Sequence, residues 1–110
     1  MDFLIYVFDL DGTLCTNTNG DYDAAEPLVD RINYVNELYN EHTVVIQTAR
    51  GMTRANGNQE LADTYMRELT EDQLNKWNVK FHKLYFGKCY ADVYIDDKSI
   101  DDESFFMRSN

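Results

Sequence analysis

The chain has 110 residues, 44% of them hydrophobic and 14% aromatic, enough for one buried core and too few for a second module. That composition excludes disorder, and a net charge of −10 with no basic patch excludes a nucleic-acid backbone or an anionic membrane surface as a favoured partner. No apolar run approaches the roughly 20 residues of a membrane span, and MDFLIYVFDL lacks the basic start and cleavage site of a signal peptide, so one cytoplasmic domain over residues 1–110 is expected. Cys15 and Cys89 are too sparse for a disulfide framework and read as buried filler; with His42 and His82 they show none of the spacings of a zinc site.

In chain order, Phe3 to Phe8 is a continuous apolar run, the pattern of a strand buried on both faces of a parallel sheet. Residues 15–26, CTNTNGDYDAAE, form a polar loop. Pro27 opens a helix to about Asn40, with Leu28, Ile32, Val35, Leu38 and Tyr39 on one stripe. HTVVIQT is a second strand ending at Thr48, followed by the polar loop ARGMTRANGN. Leu61, Tyr65 and Leu69 mark a further helix, and Thr70 with Gln73 forms a capping-box pattern that starts a separate short helix carrying Leu74 and Trp77 inward. FHKLYF and DVYI read as two more strands, and the tail from Ser99 to Phe106 as a last helix. Trp77, Tyr85, Phe86 and Tyr94 are expected in the core, while the acidic tail IDDESFFMRSN reads as a solvated helix end, with Phe105 and Phe106 covering a partner surface as the alternative.

Strands alternating with helices predict an α/β domain, a three-layer doubly wound parallel sheet of Rossmann-like type, whose ligands bind beyond the carboxyl ends of the strands. At those ends stand Asp9, Asp11, Gly12 and Thr13, then Thr48 and Arg50, then Gly87 and Lys88, and last Asp96 and Asp97. Carboxylates converging in this way repel unless a cation joins them, and an all-oxygen donor set with room for water and phosphate favours Mg²⁺. Such a site suits phosphate chemistry, in which an aspartate attacks phosphorus and a second handles protons. An EF-hand loop does not fit, because Leu14 stands where that loop needs glycine.

DLDGTL, a strand-terminal Thr48, Lys88 and the pair Asp96–Asp97 together resemble the four-motif signature of the haloacid dehalogenase (HAD) superfamily, over the whole chain. The resemblance implies a HAD-like core and Mg²⁺-dependent phosphatase activity. Asp9 would then be the nucleophile and a metal ligand, and Asp11 the general acid and base, with its backbone carbonyl on the metal. Thr48 and Lys88 would bind the transferred phosphoryl group, Asp96 would complete the metal site, and Asp97 would hold a water or orient Lys88, with direct metal contact as the other role. Gly12, Thr13, Thr48, Ala49, Arg50 and Lys88 form the expected substrate-binding set. Lys83 lies inside a strand run, so Lys88 is the better phosphate lysine, whereas Arg50 suits a substrate anion and a neighbouring acid equally. Asp11, which must be protonated as its neighbours stay ionised, is the carboxyl expected to have a raised pKa.

Neither insertion slot has room for a cap domain, so the resemblance is to small capless members of bacteria and phages, some linked to polysaccharide biosynthesis. An open site of that kind would be closed by loop 15–26, by a homo-oligomer partner or by the substrate. A sugar phosphate or other small phosphomonoester is the expected substrate. A phosphorylated protein, polysaccharide or nucleotide end, or a non-catalytic phosphate-binding role, is the alternative.

Overall fold

The most β-branched stretch of the chain, TVVIQT, lies at the centre of the sheet. In the computed structural model, which describes residues 3–107, the strands are Ile5–Phe8 (β1), Thr43–Thr48 (β2) and Lys83–Phe86 (β3), all parallel and ordered β1-β2-β3. Val44, Val45 and Ile46 are buried, as β-branched side chains on a strand paired along both edges should be. Val7 pairs with Val45 and Ile46 with Leu84; β2 and β3 end level at Thr48 and Phe86, while Phe8 at the end of β1 lies opposite Ile46.

Two strand expectations are corrected. β1 is an edge strand, not a doubly buried one: Tyr6 and Phe8 turn toward the core cluster, while Ile5 and Val7 are 73% and 57% exposed. DVYI forms no strand among the described residues, and Val93 and Ile95 are exposed. Only four residues separate polar turns there, and Asp96 closes its own turn by accepting the Lys98 N–H at 2.9 Å, a local bond that competes with sheet pairing.

The helices are Val29–Tyr39 (α1), Gln59–Lys76 (α2) and Asp102–Met107 (α3). α1 buries Ile32 and Val35 against β2. α2 begins at Asn58, whose side chain accepts the Leu61 N–H at 3.1 Å, and runs unbroken through the expected restart at Thr70. Thr70 and Gln73 are buried mid-helix, because the residues at core phase are Ala62, Met66, Thr70, Gln73 and Leu74. The helix stops where Asn78 takes φ +58, with Val79 N–H donating to Leu74 and Asn78 N–H to Asn75, and the apolar pair Val79 and Leu74 in the core beside that turn. No helix among the described residues is long and apolar enough to cross a membrane.

Leu10, Leu14, Val35, Val44, Ile46 and Leu74 are fully enclosed. Phe106 joins them, and Phe105 packs on Tyr6, Phe8 and Tyr34, so this pair packs against its own sheet. Phe86 lies in the core as expected and Trp77 packs against it, whereas Tyr85 and Tyr94 are 44% and 47% exposed. His42 and His82 sit at strand starts, accepting the N–H groups of Leu4 and Val44 at Nδ1.

Gly51, at φ +79, brings the loop after β2 against α2. A Cβ there would lie 2.8 Å from Met66 Cγ and 3.2 Å from the Ala62 carbonyl, in a backbone region L-residues avoid. Gly51→Ala should therefore cost about 1–3 kcal/mol in chemical denaturation. An unchanged midpoint would show that the loop shifts freely.

Candidate active site

The strand that ends at Phe8 hands over directly to a tight turn. The Leu10 carbonyl accepts N–H groups of Thr13 at 3.1 Å and Leu14 at 2.8 Å, and Gly12, at φ +86, donates its own to Cys15 at 2.8 Å. Glycine is required there by the left-handed backbone, since nothing would crowd a Cβ. From α1, Arg31 fastens this turn by donating to the Thr13 carbonyl at 3.1 Å, and it pairs with Asp102 of α3 at 2.7 Å. Between β1 and α1 the only further element is one 3₁₀ turn, Tyr22–Ala24.

Asp9 leaves β1 facing Lys88, which arrives just after β3, and the carboxylate and ammonium stand 3.6 Å apart. Lys88 is held by its backbone: the N–H groups of Gly87 and Lys88 both donate to the Thr48 carbonyl at 3.2 Å. Its ammonium also lies 4.2 Å from the ring centre of Tyr94, whose hydroxyl donates to the Cys89 carbonyl. Thr48 is 1% exposed; its hydroxyl oxygen accepts the Arg50 N–H at 3.1 Å and keeps its own hydrogen to donate. Asp9, Thr13 and Lys88 border a cleft of about 750 Å³, walled by the outer edge of β1 and by residues 98–106.

Asp11 enters a buried network. Both its oxygens are gripped by Arg50, from Nε at 2.9 Å and from NH2 at 2.9 Å. NH1 of Arg50 donates to Thr70 at 3.2 Å and Gln73 at 2.6 Å, NH2 also reaches the Cys15 sulfur at 3.9 Å, and the guanidinium lies 4.6 Å from the Tyr22 ring centre. The Arg50 side chain is fully buried and all five of its N–H donors are used, which removes it from the substrate-binding set. Ala49 packs beside Met52, Ala55 and Ala62 instead of reaching the cleft.

Burial pushes the Asp9 carboxyl up from its ordinary value, against the pull of Lys88 and the Leu10 N–H. Both oxygens of Asp11 are engaged by Arg50. Burial, helped by the Asp11 charge, also lifts the Cys15 thiol to about 12. Cys89, expected to be buried, is exposed because it lies in the irregular segment after β3. At pH 8 a thiol reagent should therefore modify Cys89 in the native protein and reach Cys15 only on unfolding; two equivalents of rapid native reaction would contradict this.

Asp96 and Asp97, expected beside Asp9 and Asp11 as metal ligands, stand exposed on their own turn. Among the described residues no three of the His, Cys, Asp and Glu side chains gather as a metal-binding group. The segment DVYI, expected to carry the Asp96–Asp97 pair to the rim, is not a strand among the described residues. Arg31, Thr70, Gln73, Tyr22 and Tyr94 were not singled out from the sequence as site residues. Thr70 and Gln73 did carry a signal, since both are polar at the core phase of an amphipathic helix.

These features define an α/β domain with a three-stranded parallel sheet and an acid–lysine pair at its carboxyl edge. The chain is similar to a crystal structure of a target protein from Vibrio cholerae, with TM-score 0.85 and 28% identity over 93% of this chain and 86% of that one. No family model and no curated protein matches the chain.

Proposed function

We propose that the chain is a phosphomonoester hydrolase of HAD type, with a doubly wound Rossmann-like core and no cap, acting on a sugar phosphate or other small metabolite through an aspartyl-phosphate on Asp9. The observation that supports this is the Asp9–Lys88 pair, at 3.6 Å, where the first strand of a parallel sheet ends. One Asp9 oxygen attacks phosphorus, the bond from phosphorus to the leaving oxygen breaks, and a proton on Asp11 passes to that oxygen. Water then attacks the same phosphorus and gives a proton to Asp11, the Asp9–phosphorus bond breaks, and inorganic phosphate leaves. Lys88 balances the phosphoryl charge, the Thr48 hydroxyl donates to a phosphoryl oxygen, and alignment with charge balance supplies most of the rate.

Mg²⁺ is the cation whose chemistry suits these oxygen donors, and Asp9 and Asp96 are the ligands we assign to it. Among the described residues Asp96 does not join Asp9 in a ligand group. For the two to meet, residues 92–97 must lie along the open edge of β1, where Ile5 and Val7 on one side and Val93 and Ile95 on the other stand exposed.

The test is phosphate release from a panel of phosphomonoesters with Mg²⁺ and with EDTA. Release that requires Mg²⁺ is expected, together with slower amide exchange at Ile5 to Phe8 when the ion is added. Absence of release from every ester, or release indifferent to EDTA, would overturn the assignment.

A further inference from the structure

We propose that Arg31 is a positioning residue for substrate at this site, holding Thr13 in place at the cleft by clamping its carbonyl to α3. This rests on the phosphatase reading above and gives Arg31 no part in the chemistry. Thr13 borders the cleft beside Asp9 and Lys88. It follows Gly12, whose φ of +86 is a conformation that glycine alone adopts freely, so the turn does not hold its next residue by sterics. Two hydrogen bonds do so instead: the Thr13 N–H donates to the Leu10 carbonyl at 3.1 Å, and the Thr13 carbonyl accepts from Arg31 NH1 at 3.1 Å.

NH1 of an arginine has two hydrogens, and both are committed here, the second to Asp102 at 2.7 Å in the first turn of α3. The guanidinium carbon also stands 4.8 Å from the ring centre of Phe106, which is buried. α3 is anchored in turn, because Phe105 and Phe106 both lie against Phe8 at the end of β1. The strand that leads into Asp9 therefore reaches Thr13 by two routes. One runs along the chain through residues 9–13, and the other through space by way of α3 and Arg31.

Cutting the second route leaves the nucleophile and Lys88 untouched and loosens only Thr13. What is lost is hold on the bound ester, equally before and during reaction, and such a loss raises KM and leaves kcat alone.

The experiment measures kcat and KM, with Mg²⁺, for the fastest-released ester of the panel above, p-nitrophenyl phosphate being one of its members. The proteins are the unaltered chain, Arg31→Met, Asp102→Asn, Thr13→Ala and Arg31→Met/Thr13→Ala, with thermal unfolding of each. Arg31→Met is expected to raise KM about five- to tenfold with kcat within about twofold. Asp102→Asn keeps the acceptor oxygen and loses the charge that holds NH1, so a rise of about two- to threefold is expected. If Arg31 acts through Thr13, adding Arg31→Met to Thr13→Ala raises KM no further. The Arg31–Asp102 pair is partly exposed, so its loss costs little stability, and Asp102→Asn carries the test if Arg31→Met does not fold. An unchanged KM with a lowered thermal midpoint, a loss carried in kcat, or KM effects that multiply in the combined variant would overturn the positioning role and leave the phosphatase reading standing. No release from any ester by the unaltered protein would overturn that reading and the proposal with it.

Discussion

Asp9→Asn is expected to lose phosphate release by a factor on the order of 10⁴ or more, and to unfold at a higher temperature than the unaltered protein at pH 7. The first effect follows from the chemistry: an amide has no anionic oxygen to attack phosphorus, and no other carboxylate among the described residues faces Lys88. The second follows from the raised Asp9 carboxyl. A carboxyl whose pKa is higher in the folded than in the unfolded chain makes the fold prefer the protonated form, so ionisation of Asp9 costs stability. That cost is absent below the unfolded value of 3.8 and grows as pH rises through the folded one. The variant's advantage in thermal midpoint should accordingly be present at pH 7 and vanish below pH 4. A variant that is inactive and less stable at neutral pH would show that Asp9 serves mainly as a structural partner of Lys88.

How far the sequence could be read depends on the range of the interaction involved. β2 and α1 were legible because their patterns are local: a β-branched run and an apolar stripe at helical spacing. Asp9 and Lys88 were legible as residues of one rim because each follows a strand of the same parallel sheet, although Phe8 lies opposite Ile46 and Phe86 opposite Thr48. What a strand has on its outer side is not written within it. The run from Phe3 to Phe8 reads as apolar throughout, yet Ile5 and Val7 are exposed because β1 is the edge of the sheet and residues 93–95 form no strand beside it among the described residues. The same non-local gap explains Arg50. Its two readings, substrate anion or neighbouring acid, separate only once α2 brings Thr70 and Gln73 against it, and the Thr70–Gln73 spacing that looked like a helix start is in fact a polar pair on a buried face.

Asp11→Ala is expected to be the most destabilising single change at the site, at about 3–5 kcal/mol, because it leaves a fully buried guanidinium without a counter-charge. The partners that remain, Thr70, Gln73 and the Cys15 sulfur, are neutral, and two of the five donors lose their acceptors outright. Arg50→Met alone removes the charge and leaves Asp11, whose side chain is 19% exposed, able to turn toward water, so its cost should be smaller. The double variant Asp11→Ala/Arg50→Met should be more stable than Asp11→Ala, since it takes away the stranded charge. Denaturant titration of the four proteins closes the cycle, and a coupling of several kcal/mol is expected for a buried, two-pronged pair. If the double variant is instead destabilised, relative to the unaltered protein, by the sum of the two single losses, the pair is uncoupled and Arg50 is held by α2 alone.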